Sequence, residues 1–516
     1  MNPSCFRPAR ASAGIHSILA VRERYRDDYW QNNDPIVEDR LLWRAQAFRH
    51  AVHLFPGQTI LELGCGKGLF TRALLRVCRE ENQITAGTFQ KPAQMPSDIG
   101  AKVELLEMSD VANSLKGRRF DCVIAMDLAD RRNAVEFLSA IYELLQPGGK
   151  MVLYESNPFN PFLSLRRLFL ILLGRRDPRR LLSRSQLHRL LPLGGFAQVY
   201  AIYNDFVFAP LTPRLIWLLR NLSILLENAA VVRTMAGSIL VHGQKPPLQM
   251  GAPKQSWPVH ESLRGAISFV IPCYNEEMNV RPLVERIFNL YGECVYEIIL
   301  VNDSSTDGTA AVMTELAQRN DRVKTLHRRP PSGVGRAIAD GVSQASGRYI
   351  LTMDCDFAHL LPEFRDLLDA AVEGHDVVVG SRFSRHSVLL NYPCWKIVAN
   401  RGFHLLARLL LWQKFRDLTN NLKLMRREVV ADLQLREPGF AVNAETGLQP
   451  LMLGYPVEEV PISWINRSPE MGASSFRLIR VGGGYWRVLL NISLRQLLNA
   501  GPYKSLRRSE SSVCAV

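Results

Sequence analysis

The sequence predicts an α/β protein built from two doubly wound domains, and three observations carry this prediction. A chain of 516 residues is too long for one hydrophobic core. Strand-like apolar runs alternate with helical patterns in both halves, as in parallel α/β sheets. Residues 246–265 are rich in proline, glycine and polar side chains, and they read as a linker. We therefore expect one domain over 1–245, a second over 266–480, and an amphipathic segment with a polar tail over 481–516.

The composition indicates which kinds of binding partner and which cellular compartment to expect. A formal net charge of +14 favours an anionic partner such as nucleic acid, an acidic membrane face or a phosphorylated substrate. The nine cysteines are scattered without a C-x-x-C pair, which argues against disulfides or zinc and for a reducing compartment. The N-terminus lacks the apolar core of a signal peptide, and no stretch reaches the roughly 18 apolar residues of a membrane span. We therefore expect a cytoplasmic protein.

In the first half, six apolar runs are predicted to form the strands of one sheet. The first, "TILELGCG", breaks into glycines and is followed by "LFTRALLRVC", which has helical spacing. A turn, "QPGG", is predicted before the fifth strand. The later strands are "QITAGTF" (83–89), "KVELLEM" (102–108), "FDCVIAM" (120–126), "KMVLYES" (150–156) and "SILVHGQ" (238–244).

The glycines after the first strand predict a ligand-binding loop. Gly64, Gly66 and Gly68 permit a tight turn and let the backbone approach a ligand at the carboxyl edge of the sheet. Their G-x-G-x-G spacing, preceded by Glu62, differs from the G-x-G-x-x-G fingerprint of dinucleotide-binding proteins. Together with the "QPGG" turn, this loop resembles that of class I S-adenosylmethionine-dependent methyltransferases, over about residues 20–245.

This resemblance implies S-adenosylmethionine as a cofactor. Glu62, Gly64 and Gly66 would border its amino acid and ribose, and Asp110 would contact its adenine. The second strand of the family usually ends in an acid that binds both ribose hydroxyls, whereas this chain has Thr88 there. A hydroxyl cannot match a carboxylate that accepts two hydrogen bonds. Two alternatives therefore stay open for this domain, an active methyltransferase and a degenerate scaffold.

In the second half, acidic residues follow successive strands. The predicted strands are "AISFVIPC", "YEIILVND", "RVKTLHR" and "RYILTMDCD". Glu276 follows the first, Asp303 ends the second, and Asp354 and Asp356 end the fourth, so all four are expected on one rim of an open parallel sheet. These carboxylates would repel one another unless a cation or ligand lay among them. The arrangement suits a nucleotide diphosphate bridged by Mg²⁺ or Mn²⁺.

Residues 266 to about 478 resemble family-2 glycosyltransferases of the type-A fold, in particular the polyprenyl-phosphate sugar transferases of the dolichol-phosphate mannosyltransferase kind. The stretches that match, in the family's order, are "IPCYNEEMN", "VNDSSTDGT", "GVGRAIADG", "MDCDFAH", "VVGSRF", "RDLTNNLKLMRR" and "VEEVPISWINRSPEMGASSF". The resemblance implies metal-dependent, inverting transfer of a sugar from a nucleotide-sugar donor to a lipid-phosphate acceptor. The chain departs from the family at "NDSS" for "DDGS", at Ala358 and at "DLTNNL" for "D-x-T-S-G-F", which leaves the sugar open.

The same resemblance implies roles for three groups of residues. The nucleotide would be lined by Pro272, Tyr274, Glu276 and Asp303. Asp354 and Asp356 would hold the metal ion. Arg382 and Arg401 would grip the phosphates of donor and acceptor, a task for which the guanidinium fork is suited. Asp417 would either orient the acceptor or cap a local turn.

An arginine-rich segment, residues 161–190, suggests a membrane partner. It contains eight arginines and one acid among leucine clusters. It is predicted to lie on an anionic bilayer surface, at the inner face of the membrane, or to be a first-domain helix with an arginine-rich solvent face. Three alternative functions stay open: a glycan-extending transferase, a methyltransferase with a non-catalytic sugar-nucleotide module, and a scaffold with two inactive sites. Nucleic acid is not expected as a partner, because a carboxylate rim repels phosphates.

Overall fold

The chain divides into two compact units, Met1–Gln255 and Ser256–Val516, and the boundary falls inside the predicted linker. Each unit contains its own seven-stranded sheet, and each is described by itself. The computed structural model describes residues 12–30, 35–90, 95–108, 111–174, 177, 179–207, 216–247, 259–390, 392–465 and 478–498.

The first unit is an α/β sheet whose elements follow in the order of the chain. Its strands are β1 (Thr59–Leu63), β2 (Gln83–Thr88), β3 (Glu104–Glu107), β4 (Phe120–Met126), β5 (Leu145–Ser156), β6 (Ala197–Asn204) and β7 (Ser238–Gln244). Its helices are α1 (Ser12–Trp30), α2 (Pro35–Val52), α3 (Leu69–Cys78), α4 (Ser97–Gly100), α5 (Val111–Ser114), α6 (Ala134–Leu144), α7 (Pro161–Leu172), α8 (Arg184–Leu193) and α9 (Ile216–Glu227). The strand order is β3-β2-β1-β4-β5-β7-β6. Fully buried apolar residues of the central strands, such as Val123, Leu153 and Ile239, form its core.

All six predicted strands of this half are present, but the expected all-parallel pairing is wrong at one edge. β7 runs antiparallel to both β5 and β6. Asn204 at the end of β6 lies opposite Ser238 at the start of β7. The connection therefore begins and ends at the same edge of the sheet, which forces an antiparallel neighbour. β6 itself was not predicted.

The "QPGG" segment, predicted as a turn, is part of β5. The pairing of β4 with β5 is irregular there, because the register shifts between Phe120 and Cys122. Gly148 has a φ of 81°, a value that glycine adopts readily and that lets the strand bend.

The second unit repeats the α/β plan with a more mixed sheet. Its strands are β8 (Ile267–Cys273), β9 (Val295–Asn302), β10 (Val323–His327), β11 (Tyr349–Thr352), β12 (Val377–Ser381), β13 (Leu389–Leu390), β14 (Lys423–Arg426), β15 (Val457–Pro461) and β16 (Trp464–Ile465). Its helices are α10 (Glu277–Tyr291), α11 (Thr309–Arg319), α12 (Val334–Gln344), α13 (Phe364–Val372), α14 (Cys394–Leu411), α15 (Arg427–Asp432), α16 (Val442–Leu453) and α17 (Leu478–Leu497). Short 3₁₀ helices of the chain cover Val232–Met235, Glu261–Leu263 and Phe357–Glu363.

The sheet order of this unit is β10-β9-β8-β11-β14-β12-β15, with β13 and β16 paired separately. The four predicted strands are present and parallel. The expectation of a parallel sheet fails at β14, which is antiparallel to β11 and β12. A reversed strand enters the sheet from the carboxyl rim, so the turn before β14, residues 417–421, is brought to that rim.

The fold confirms the predicted class of two doubly wound α/β domains. Among the described helices, none combines the length and apolar composition needed to cross a bilayer.

Candidate active site

Three neighbouring strands bring the predicted carboxylates to one rim of the second sheet. β9, β8 and β11 lie side by side and parallel, and Asp303, Glu276 and Asp354 follow their carboxyl ends. Asp354 and Asp356 are half-buried. Within the described ranges, no group of three or more His, Cys, Asp or Glu side chains is arranged to hold a metal. Two carboxylates still fit Mg²⁺, which is commonly bound by one or two of them together with substrate phosphates.

The charge of Asp303 is balanced within the chain. Arg328 donates from Nη1 to Oδ1 of Asp303, and the backbone N–H of Gly333 donates to Oδ2 at 2.7 Å. Arg328 also donates to Asp340 at 2.6 Å. The rim carboxylates were expected to need a bound cation or ligand to balance their charge. At Asp303, the guanidinium of Arg328 supplies that positive charge. The sequence reasoning missed Arg328, although its position at the end of β10, on the same rim, could have identified it.

Two other rim carboxylates accept hydrogen bonds from side-chain amides. Asn421 donates to Oδ1 of Asp354 at 2.6 Å, so the turn before β14 orients one of the two predicted metal ligands. Asn279 donates to Oε2 of Glu276 at 2.5 Å. Amide donors fix the orientation of a carboxylate without cancelling its charge, so both groups keep their affinity for cations.

The predicted nucleotide-lining residues of β8 differ in exposure. Pro272 is half-buried in the strand, and the ring of Tyr274 is 52% exposed at the rim. Asn275 has a φ of 56° and Ser304 a φ of 63°, so both strand-end turns adopt a left-handed conformation that is uncommon outside glycine, although asparagine adopts it more readily than serine. Such strained turns cluster at ligand sites.

Arg382 and Asp417 form a buried, two-pronged ion pair. Nε of Arg382 lies 2.7 Å from Oδ2 of Asp417, and Nη2 lies 3.0 Å from Oδ1. Burial alone would raise the pKa of Asp417, but the charge and hydrogen bonds of Arg382 outweigh it and hold that pKa well below its usual range. Asp417 is fully buried. Its Oδ1 also accepts from the N–H of Thr419 at 3.3 Å and from Oγ1 of Thr419 at 3.0 Å, so Asp417 caps the local turn, one of its two predicted roles, while the role toward an acceptor stays a prediction.

Arg401 lies close to this pair. Its Nη1 donates to the carbonyl of Arg416 at 2.8 Å, and its guanidinium lies 5.0 Å from the ring centre of Phe383. The guanidinium of Arg382 lies 6.0 Å from the same ring centre. The two predicted phosphate-gripping arginines thus share one aromatic neighbour.

Lys423 is a site residue that the sequence reasoning missed. It is fully buried at the start of β14, with Nζ 2.6 Å from the carbonyl of Asn420, 3.0 Å from that of Asn443 and 2.9 Å from Oγ1 of Thr446. Burial lowers its pKa to about 7. Lys423 ties the 417–421 turn to α16.

The glycine loop of the first unit has the geometry that was predicted for it. Gly64, Gly66 and Gly68 have φ values of 70°, 52° and 74°, which favour glycine. Glu62 is buried and accepts a hydrogen bond from Thr71 at 2.7 Å. Burial raises the pKa of Glu62 to about 7. Asp110, predicted to contact adenine, lies outside the described residues.

The crevice above this loop does not fit S-adenosylmethionine as the chain is folded here. Oγ1 of Thr88, at the predicted ribose position, donates to Oε1 of Glu23 at 3.0 Å. A Cβ on Gly66 would lie 2.2 Å from Oδ2 of Asp27. Glu23 and Asp27 belong to α1, so side chains of the protein itself fill the space.

Two family profiles match the chain. The profile described as "Methyltransferase domain" matches residues 61–153, and the one described as "Glycosyl transferase family 2" matches residues 268–434. The first falls on the glycine-loop sheet and the second on the sheet with the carboxylate rim.

Two curated relatives are named as enzymes of glycosyl transfer, the activity in the description of the second profile. The chain is 32% identical to polyprenol monophosphomannose synthase of Mycolicibacterium smegmatis over 212 residues, which is 40% of this chain and 78% of that protein. It is 31% identical to dolichol-phosphate mannosyltransferase of Pyrococcus furiosus over 182 residues, which is 35% of this chain but only 51% of that protein.

Solved structures resemble each type of domain at low identity. Glucosyl-3-phosphoglycerate synthase from Mycobacterium tuberculosis, in complex with Mn²⁺ and UDP-glucose, is 19% identical, with 48% of this chain and 83% of that one covered at a TM-score of 0.33. A possible histamine N-methyltransferase from Thermotoga maritima is 15% identical, with 44% and 100% covered at a TM-score of 0.30.

Proposed function

Because the chain belongs to glycosyltransferase family 2, we propose that its second unit transfers a sugar from a nucleotide-sugar donor to a polyprenyl-phosphate-like lipid, with inversion. Transfer of a glycosyl group is the activity in the names of both curated relatives. The lipid-phosphate acceptor and the dependence on a divalent metal are proposed here from the side chains of this chain.

One observation carries the lipid acceptor: α14 combines a phosphate-binding side chain with an exposed apolar face. Arg401 lies on this helix near Arg382. The apolar residues of the same helix that are at least 41% exposed are Trp395, Val398, Leu405, Leu406, Leu409 and Leu410. A contiguous apolar face of this kind marks a contact with protein or membrane. An acceptor with an apolar tail and a phosphate head would match both features.

The C-terminal helix α17 extends this face. The rings of Phe403 on α14 and Tyr485 on α17 are 5.4 Å apart, so the two helices pack together. On α17, the side chains of Trp486, Leu490 and Leu494 are 42%, 51% and 55% exposed. The α14–α17 face, defined by the exposed apolar residues of these two helices, is the proposed membrane contact of the second unit.

The donor end of the reaction is assigned to the rim. Asp354 and Asp356 would hold Mg²⁺ or Mn²⁺, which would offset the charge that builds up on the departing diphosphate. Tyr274 would cover the nucleotide base, and Asp303 would hold Arg328 against the rim. The electrostatic role of the chain is to place fixed charges where negative charge develops.

The acceptor end needs positioning more than deprotonation. A lipid monophosphate is already anionic at neutral pH, so two arginines can bind and orient it without a general base. The nearby His404 is not suited to act as a base. Its Nδ1 donates to the carbonyl of Asn400 at 2.8 Å, and its Nε2 accepts from the N–H of Leu418 at 3.1 Å. Burial lowers its pKa to about 4, so it stays neutral.

The direct test is a transfer assay with a panel of nucleotide sugars, polyprenyl phosphate and Mn²⁺. We expect one nucleotide sugar to yield a sugar–phosphate–lipid product, and EDTA to stop the reaction. The same donor should raise the melting temperature only with the divalent ion, because a ligand at 100 times its Kd stabilises the folded state by about 2.7 kcal/mol. Transfer to an oligosaccharide but not to lipid phosphate would favour the alternative of a glycan-extending enzyme.

We further propose that the enzyme binds peripherally to the inner, anionic face of a membrane. In the first unit, none of the residues of helix α7 is buried. Phe162, Leu165 and Phe169 are 62%, 64% and 61% exposed, and their exposure supports insertion into an interface. Of the two described arginines that follow α7 most closely, Arg180 is exposed and Arg179 is not. Arg179 is buried against Asp177 at 3.0 Å, and Arg175 and Arg176 lie outside the described residues.

The α14–α17 face can be tested with vesicles. We expect the double variant Leu405→Ser with Leu409→Ser to lose at least tenfold in vesicle affinity, because fully burying an apolar side chain contributes about 1.5–3 kcal/mol. Leu405 and Leu409 are 56% and 62% exposed, so the fold should not change. Co-sedimentation with anionic vesicles gives the measurement, and transfer to a long-chain lipid phosphate should slow in parallel.

A matched control is Val372→Ser at the end of α13, where the side chain is 37% exposed. That variant should bind vesicles like the wild type. Transfer to a short, water-soluble phosphate acceptor should be unchanged in all variants. If Phe162→Ser with Phe169→Ser alone abolished vesicle binding, the contact would belong to α7 and the assignment to the α14–α17 face would be wrong.

A further inference from the structure

Helix α1 buries a charged face, which is unusual for a helix packed on a sheet. The buried residues Leu19, Arg22, Glu23, Arg26 and Trp30 follow the helical pattern i, i+3, i+4, i+7 and i+11 and lie on one side of the helix. Their exposures are 1%, 1%, 0%, 5% and 3%, so three charged side chains are enclosed. An ordinary surface helix turns apolar residues inward and charges outward. Buried charges persist only where they find partners, so the partners explain this face.

The partners of Glu23 are the polar groups at the ends of β1 and β2. Oε1 of Glu23 accepts from the backbone N–H of Gly66 at 2.9 Å and from Oγ1 of Thr88 at 3.0 Å. Oε2 accepts from the backbone N–H of Phe89 at 2.8 Å. One carboxylate therefore accepts hydrogen bonds from three donors that line the crevice where the family resemblance places the ribose.

Arg26 and Asp27 occupy the other side of the glycine loop. Nη1 of Arg26 donates to the carbonyl of Gly64, and Nη2 lies 2.8 Å from Oδ1 of Asp27. The carboxylate of Asp27 rests on Gly66 so closely that any Cβ there would collide with it. Glycine lets another group come close to its backbone, and at Gly66 that group is the side chain of Asp27.

A third contact fixes α1 at the ends of β4 and β5. Arg22 donates from Nη2 to Oε2 of Glu155 at 3.0 Å and to the carbonyl of Ala129 at 2.9 Å. The other oxygen of Glu155 accepts from the N–H groups of Leu128 and Ala129 at 3.1 and 2.9 Å. The helix is thus tied across the carboxyl edge of the sheet.

We infer that α1 is a built-in occupant of the methyltransferase-type crevice and that it excludes S-adenosylmethionine. The carboxylate of Glu23 holds the donors that ribose and amino-acid groups would need, and Asp27 fills the cradle over Gly66. The cofactor and α1 cannot be accommodated together. The first unit therefore keeps the fold of a methyltransferase while its ligand groups come from within the chain.

Calorimetric titration of the full chain with S-adenosylmethionine tests this inference. The wild type should show no binding heat. Glu23→Gln should show a measurable binding heat where the wild type shows none, because an amide donor pointing at Gly66 or Phe89 weakens the hold of α1. Hydrogen exchange should show faster exchange of the Gly66 and Phe89 amides in this variant without ligand. The matched control is Arg24→Gln, on the exposed face of the same helix, which should change neither quantity.

Thr88→Asp is a second variant in case Glu23→Gln unfolds. It places a carboxylate against Glu23, repels α1, and supplies the acid that the family has at this position. S-adenosylmethionine binding by Thr88→Asp, absent in the wild type, would support the inference. Binding by the wild type would overturn it. So would a variant whose Gly66 and Phe89 amides exchange freely but which still binds no cofactor, since α1 would then not be what excludes it.

Discussion

Replacing Asp356 by alanine is expected to abolish divalent-dependent binding of nucleoside diphosphates while the chain stays folded. Asp356 is half-buried two residues after Asp354, whose carboxylate Asn421 orients at 2.6 Å. Removing one of two carboxylates takes away half of the protein's oxygen ligands and one negative charge. The loss should exceed the roughly 10–100-fold that removal of an outer-shell partner of a metal typically costs. Calorimetry with UDP and GDP, with and without Mn²⁺, gives the measurement.

The control for this variant is Asp321→Ala. Asp321 is exposed just before β10 and thus at the opposite edge of the sheet from the rim. The Asp321→Ala variant should bind the diphosphate like the wild type. Both Asp321→Ala and Asp356→Ala should melt near the wild-type temperature. Full metal-dependent binding by Asp356→Ala would contradict the assignment of the rim as a metal site.

Replacing Asp417 by asparagine is expected to destabilise the second unit by about 3–5 kcal/mol, because it leaves the charge of Arg382 without its buried partner. The two side chains are 0% and 13% exposed. In a unit of this size, that loss lowers the melting temperature by about 10 °C. The folded-state pKa of Asp417 lies below its ordinary value. The contribution is therefore fully present above about pH 4 and is lost as the pH falls further.

One further variant is a control for the loss of stability, and another separates the structural role of the Arg382–Asp417 pair from its role in transfer. Asp369→Asn removes a partly exposed pair with Arg365, and it should cost less than about 1 kcal/mol. Asp417→Leu combined with Arg382→Met should recover much of the lost stability, since a buried ion pair can be replaced by apolar groups. It should still lack transfer activity. Recovery of transfer in that double variant would show that Arg382 does not grip a phosphate.

Ten strands of the two sheets, β1–β5 and β7–β11, could be predicted because each is an apolar run that ends in a turn. The position of the rim carboxylates followed from the same reading, since parallel strands share a carboxyl edge. β6 was missed because it lies at a sheet edge, where its residues are partly exposed and the apolar run is interrupted. β12, β14 and β15 were not predicted as strands, and periodicity carries no information about the reversed direction of β14.

The contacts that decide what each site can do were beyond the sequence. Arg22 and Glu155 are 133 positions apart, and Arg328 and Asp303 are 25 apart, so no local spacing links either pair. The charged residues of α1 read as a solvated helix, because a charge in a sequence predicts exposure unless its partner is known. The closed crevice of the first unit follows from those partners alone.

The position of Arg401 on α14 has a consequence for how the acceptor is found. An α-helix with its side chains is about 10–12 Å across, so a guanidinium on one flank and leucines on the other are separated by little more than a phosphate head group. A polyprenyl phosphate could then stay embedded in its leaflet while its head reaches the arginine. The encounter would become a two-dimensional search by lateral diffusion. Turnover would follow the mole fraction of acceptor in the bilayer, and dilution of the acceptor with inert lipid would slow it at constant bulk concentration.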